Sequence, residues 1–141
     1  FYREAKTIIA GFNYRFWQTC KLNLIFAGSL FAVILVLGRF AFSLETILLT
    51  ALLLLSLTAL FSFHDLFIYY ILQPFTKDMD VSNPFYKFLS GALYWVAYLN
   101  TQLDLGSHTY ILLVSLAMIA YVSIGYWILL KKAPQTFRLK V

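Results

Sequence analysis

The sequence predicts an all-α, polytopic membrane protein with four transmembrane helices and a short amphipathic N-terminal helix. Three observations predict it. Hydrophobic residues make up 62% of the 141 and charged residues 12%, against about half and about a quarter in soluble domains, so a water-soluble fold could not hide the apolar surface. Between Leu22 and Leu130 the only Asp, Glu, Lys and Arg are Arg39, Glu45, Asp65, Lys77, Asp78, Asp80, Lys87 and Asp104, and they gather at points that divide long apolar runs. Those runs approach the roughly 20 residues a helix needs to cross a hydrocarbon core of about 30 Å, and they lack the alternation of barrel strands.

Residues 1–21, "FYREAKTIIAGFNYRFWQTCK", carry Ala5, Ile8, Ile9, Phe12 and Phe16 at helical spacing, with Arg3, Lys6 and Asn13 elsewhere around the wheel. That pattern suits a helix lying along the membrane surface; the cytoplasmic end of a preceding element would read the same way, and Gly11 weakens either helix. The first span, 22–42, is interrupted only by Arg39, near enough to its end for the guanidinium to reach the headgroups. The second, 46–73, is closed by Pro74. The third, 84–103, is the weakest, trimmed by Lys87 at its start and by Asn100 and Gln102 at its end. The fourth, 109–130, stops at Lys131 and Lys132, and 131–141 form a tail.

Orientation follows from the basic residues. Arg3, Lys6, Arg15 and Lys21 precede the first span, Lys77 and Lys87 lie between the second and third, and Lys131, Lys132, Arg138 and Lys140 follow the fourth. The connections "SLE" and "DLGSH" have no Lys or Arg. The expected localisation is the cell membrane, multi-pass, with both termini cytoplasmic. Parity supports the doubtful third span, because three crossings would place the basic tail outside. It is expected to be short or tilted and packed against partners rather than lipid.

The net charge of +5 is gathered toward the chain ends, which argues for topology and against nucleic acid. The lone Cys20 excludes an internal disulfide and a multi-cysteine metal site. The chain opens on Phe1, not Met, with no signal-peptide pattern; a segment of a longer protein is the expectation.

Within the second span, "FSFHDLFIYYILQPF" places His64 beside Asp65 after a long uncharged run. Glu45 and Asp65 bracket 19 uncharged residues, which at about 1.5 Å each nearly cross the hydrocarbon. The pair then sits at the cytoplasmic boundary, with Tyr69 and Tyr70 as an interfacial aromatic belt. If the helix instead slides so that 52–73 span, the pair is intramembrane and a functional candidate. Neighbours on a helix point about 100° apart, so both cannot face one ligand squarely. The simpler reading is a boundary pair bonded to a neighbouring helix or to headgroups.

Gly28, Gly38, Gly91 and Gly125 are candidates for close helix approach, though none begins a Gly-x-x-x-Gly motif. "YWVAY" at 94–98 reads as lipid or helix contact, and Asn100, Gln102, Asp104 and His108 as solvated residues near the outer end of the third span. No nucleotide loop, zinc motif or nucleophile elbow is present. Ser29, Ser90 and Ser115 have no base in recognisable spacing. No catalytic, metal or cofactor residue is therefore assigned.

The run "FHDLFIYYILQPFTKDMDVSNPFYKF" followed by "KKAPQTFRLK" resembles the last part of membrane permease subunits of bacterial ABC exporters. The similarity lies in residues 61–88 and 131–140, under a third of the chain. It implies a non-enzymatic permease part that pairs with an ATP-binding cassette ATPase subunit, and with a second permease subunit or a second copy. ATP would be bound by that partner. A peptide, lipid or drug-like molecule would be exported, and a complete permease would have more than four crossings. The connection 74–84, bounded by Pro74 and Pro84, is compatible: Pro74, Phe75, Thr76, Lys77, Asp78 and Asp80 form a candidate ATPase-coupling element that would pass motor closure to the helices. An ordinary polar loop is the plain alternative. Two other readings stand beside the exporter: a non-catalytic membrane anchor or assembly subunit, and an intramembrane enzyme using His64 and Asp65.

Overall fold

The computed structural model describes residues 5–38, 41–72, 84–100 and 107–136. These form α1 (Ala5–Gly38), α2 (Leu44–Leu72), α3 (Pro84–Asn100) and α4 (Ser107–Thr136), with no strand among the described residues. Helices α1, α2 and the Ser107–Lys132 part of α4 are each long and apolar enough to cross a membrane. At 17 residues, or roughly 26 Å, α3 is shorter than the other three.

Local chemistry accounts for the boundaries. Gly38 ends α1: its carbonyl accepts from the amides of Ala41 and Phe42, both at 2.9 Å, and the Phe42 ring occupies the space a Cβ on residue 38 would need. Ser43 caps α2, its Oγ accepting from the Thr46 amide at 3.2 Å. Glu45 in the first turn favours the positive end of the helix dipole. Pro84 opens α3, where a missing amide hydrogen costs nothing.

One expectation is corrected. Residues 5–21 are not a separate surface helix; they continue without a break into the first span, making α1 34 residues long, about 51 Å. The stripe read as lipid-facing instead meets the protein: Ile8 and Phe12 are buried in the main core cluster with Phe63, Tyr70 and Leu129. Spacing identifies an apolar face without saying what will cover it. Gly11 is accommodated beside the Tyr70 hydroxyl.

Helix α2 is the central element, packing along α4, then α1, and forming the only helix contact of α3 among the described residues. Pairings fix the directions. Thr46 meets His108 near one end and Phe63 meets Gly125 toward the other, so α2 and α4 run parallel. Phe12 packs against Tyr70 and Asn23 bonds Ser62, so α1 is antiparallel to α2. His64 bonds the carbonyl of Leu89 in an α3 that enters beside the end of α2. Helix α1 is therefore antiparallel to both α2 and α4.

This arrangement collects the charges. Lys6, Arg15 and Lys21 of α1, Lys87 at the start of α3, and Lys131 and Lys132 at the end of α4 fall toward one end of the bundle. Glu45 and His108 stand at the other, 3.6 Å apart. At the basic end an aromatic cluster closes the interior: Phe12 lies edge-on to Phe63 and Tyr70 at centroid distances of 5.8 and 5.2 Å, and Phe63 stacks on Phe67 at 5.1 Å. Each such pair contributes about 0.5–1.5 kcal/mol beyond its burial. Elsewhere the surface is apolar, with Ile25, Phe26, Val36 and Leu37 of α1 all more than half exposed. Exposed apolar area on this scale marks a membrane or protein contact.

Candidate functional site: a polar junction beside an open cleft

His64 and Asp65 share a sequence step and part company in space. Phe63 and His64 face the bundle interior, where the neighbouring helices cover them, whereas the turn to residue 65 carries Asp65 to the exposed side.

The His64 side chain is 5% exposed and ties three helices together. Its Nε2 lies 3.0 Å from the Leu89 carbonyl oxygen on α3, and its Nδ1 lies 2.7 Å from the Tyr121 hydroxyl on α4. A carbonyl only accepts, so Nε2 carries a hydrogen; in the neutral ring Nδ1 then accepts the tyrosine O–H. Both ring nitrogens are occupied in bonds to neighbouring helices.

Asp65 lines a cleft of about 310 Å³ at the basic end, together with Arg15 and Thr19 of α1, Leu66 and Tyr69 of α2, and Tyr86 of α3. No ion pair joins Arg15 to Asp65. Phe61, one helical turn before Asp65, lines this cleft and also a second, apolar groove of about 300 Å³ between α1 and α2. The boundary between the two is marked by the bond from Asn23 Nδ2 to Ser62 Oγ at 2.9 Å.

Two further polar groups bond between helices or within one. The Tyr126 hydroxyl donates to Asn13 Oδ1 at 3.1 Å, linking α4 to α1, and Ser62 donates onward to the Thr58 carbonyl at 2.7 Å. Sequence reasoning passed over Asn13, Asn23 and Tyr121 as polar partners. Their signal was present, since an isolated amide or phenol on a membrane helix needs a partner, but the partner's identity was not. Ser90 and Ser115 have buried hydroxyls with no partner.

Several expected features resolve differently. Of the four glycines proposed for close approach, only Gly125 admits another helix closely: a Cβ there would lie 2.6 Å from Phe63 Cε1. Gly28 and Gly91 face open space and Gly38 serves its own turn. Tyr94, Trp95 and Tyr98 are exposed on α3. His108 is not merely solvated but bonds Thr46 Oγ1 at 3.1 Å. Pro74, Phe75, Thr76, Lys77, Asp78 and Asp80, as well as Gln102 and Asp104, lie outside the described residues.

Compared with protein-family models, curated proteins and solved structures, the chain matches none, so the function is argued from its own geometry.

Proposed function

We propose that the chain crosses the bilayer four times with both termini in the cytoplasm, and works as a membrane subunit of an ATP-driven exporter. In this reading residues 74–84 contact a separate ATPase. The observation that carries it is the gathering of the described Lys and Arg residues toward one end of the bundle, the end that basic residues assign to the cytoplasm. The ending of α2 and the start of α3 lie at that same end, so the 74–84 connection leaves on the side where a motor would sit. The parallel run of α2 and α4 supports the fourth crossing: the chain must return from the end of Leu72 to the start of Ser107 at the opposite end, and α3 lies on that route.

The interior of the bundle is occupied by rings and by polar groups bonded to one another, so a solute path would be formed with a second permease subunit or a second copy. That same closed interior favours a second reading, a non-catalytic anchor or assembly subunit. Two measurements decide. With Cys20 replaced by Ala, single cysteines at positions 43 and 106 are expected to label from outside intact cells, and those at 78 and 138 only after permeabilisation. External labelling at 138 would overturn the topology. Given that topology, the double reversal Lys77→Glu with Asp78→Lys is expected to leave insertion intact and uncouple ATP hydrolysis from export. Unchanged export, with a tight membrane partner but no co-purifying ATPase, would establish the anchor instead.

A further inference from the structure

The cleft at Arg15 and Asp65 has a chemistry that the exporter proposal does not use. It rests only on three long helices spanning a bilayer, and it survives whether or not an ATPase is attached.

Depth comes first. The 20 steps from Glu45 to Asp65 along α2 rise about 30 Å, the thickness of the hydrocarbon. With Glu45 at one boundary, Asp65 stands at the other, level with lipid headgroups. The apolar groove below runs back from there: it is lined by Ala27 and Leu30 of α1 and by Leu54, Leu57 and Phe61 of α2. Phe61 belongs to both hollows. A polar recess at headgroup depth thus continues into an apolar furrow at acyl-chain depth.

Donors and acceptors in the recess are sorted. Arg15 offers guanidinium N–H groups, matched to a phosphate. Asp65 only accepts. Thr19 already donates its hydroxyl hydrogen to the Arg15 carbonyl at 3.0 Å, leaving lone pairs. The two opposite charges line one cleft without pairing directly. A ligand bearing one phosphate anion and one N–H cation answers both, whereas a purely anionic headgroup would place charge against Asp65.

We propose that the α1–α2 cleft binds a single phospholipid with a zwitterionic headgroup ending in a primary ammonium. The phosphate lies at Arg15, the ammonium donates to Asp65 and Thr19, and an acyl chain follows Phe61, Leu57 and Leu54. The volume of about 310 Å³ sits at the small end of ligand pockets, in keeping with a headgroup.

The test is native mass spectrometry of the purified full chain in detergent, titrated with phosphatidylethanolamine, phosphatidylcholine and phosphatidylglycerol. Wild type is expected to retain phosphatidylethanolamine over both others. Asp65→Asn is expected to weaken that binding about tenfold, the scale of one lost charge-assisted hydrogen bond, and to reverse the preference toward phosphatidylglycerol. Arg15→Gln weakens all three. Leu57→Trp, which fills the furrow, weakens all three without changing their order. Both charged residues are exposed, so unchanged helicity by circular dichroism is expected in their variants. A wild-type preference for phosphatidylglycerol, or a ratio indifferent to Asp65→Asn, would overturn the proposal. Equal retention of phosphatidylcholine would overturn the ammonium contact, and displacement by free O-phosphoethanolamine would replace the lipid with a soluble zwitterion. Cysteine labelling reports topology separately, so failure here is distinguishable from failure of the membrane reading.

Discussion

Removing the imidazole that joins three helices should reveal how much the junction contributes. In His64→Leu the volume is roughly kept while two hydrogen bonds disappear, at 2.7 Å to Tyr121 and 3.0 Å to Leu89. The Leu89 carbonyl lies within α3 and keeps its helical partner, so its loss is small. The Tyr121 hydroxyl is left without the acceptor it had. Interhelical side-chain bonds in membrane proteins average about 0.6 kcal/mol and reach about 1.7, and an orphaned polar group adds about 1–3 kcal/mol. His64→Leu is therefore expected to cost about 2–5 kcal/mol. Tyr121→Phe removes the same bond from the other side, but leaves Nδ1 unpaired instead. In the double variant no orphan remains, so its cost should fall short of the sum by the bond counted twice and by both orphan penalties, about 2.6 kcal/mol or more. The assay is reversible unfolding in mixed detergent micelles, monitored by helicity, for all four proteins. Strict additivity would refute the pairing of His64 with Tyr121.

Three further outcomes test the packing. Gly125→Ala places a methyl 2.6 Å from a ring that Phe12 and Phe67 hold from other sides, so a loss of about 1–3 kcal/mol is expected, recovered in part by Phe63→Leu; an unchanged melting midpoint would show that the ring can move. Phe12→Ala empties the centre of the aromatic cluster and should cost about 3–5 kcal/mol in the same unfolding assay, far more than the exposed Trp17→Ala. Ser115→Ala removes a buried hydroxyl that has no partner and is expected to be neutral or stabilising by up to about 1 kcal/mol; a clear loss would mean that the hydroxyl is bonded.

Much of the candidate site was legible in part. The step from His64 to Asp65 guarantees that the two diverge, and the count from Glu45 places them near a boundary. Neither consideration says which of the two turns inward. On α2 the answer is hidden because the helix is apolar nearly all round, so no polar stripe identifies its outer face. Gly125 and Gly28 are equivalent as letters, and only the ring of Phe63 makes one of them necessary. Arg15 and Asp65 are 50 positions apart and become neighbours only because α1 and α2 are antiparallel.

Helical class, the long apolar runs and the clustering of basic residues near particular loops were determined by the sequence alone. They depend on hydropathy and on a fixed rise per residue, which are properties of each segment by itself. Tertiary structure decided that α1 is one helix rather than two, that its first apolar stripe meets protein instead of lipid, and that His64 is enclosed while Asp65 opens onto a cleft. Those outcomes depend on how each helix is rotated about its axis and on which neighbour it meets, and one apolar face is as acceptable to a lipid chain as to another helix until packing selects between them.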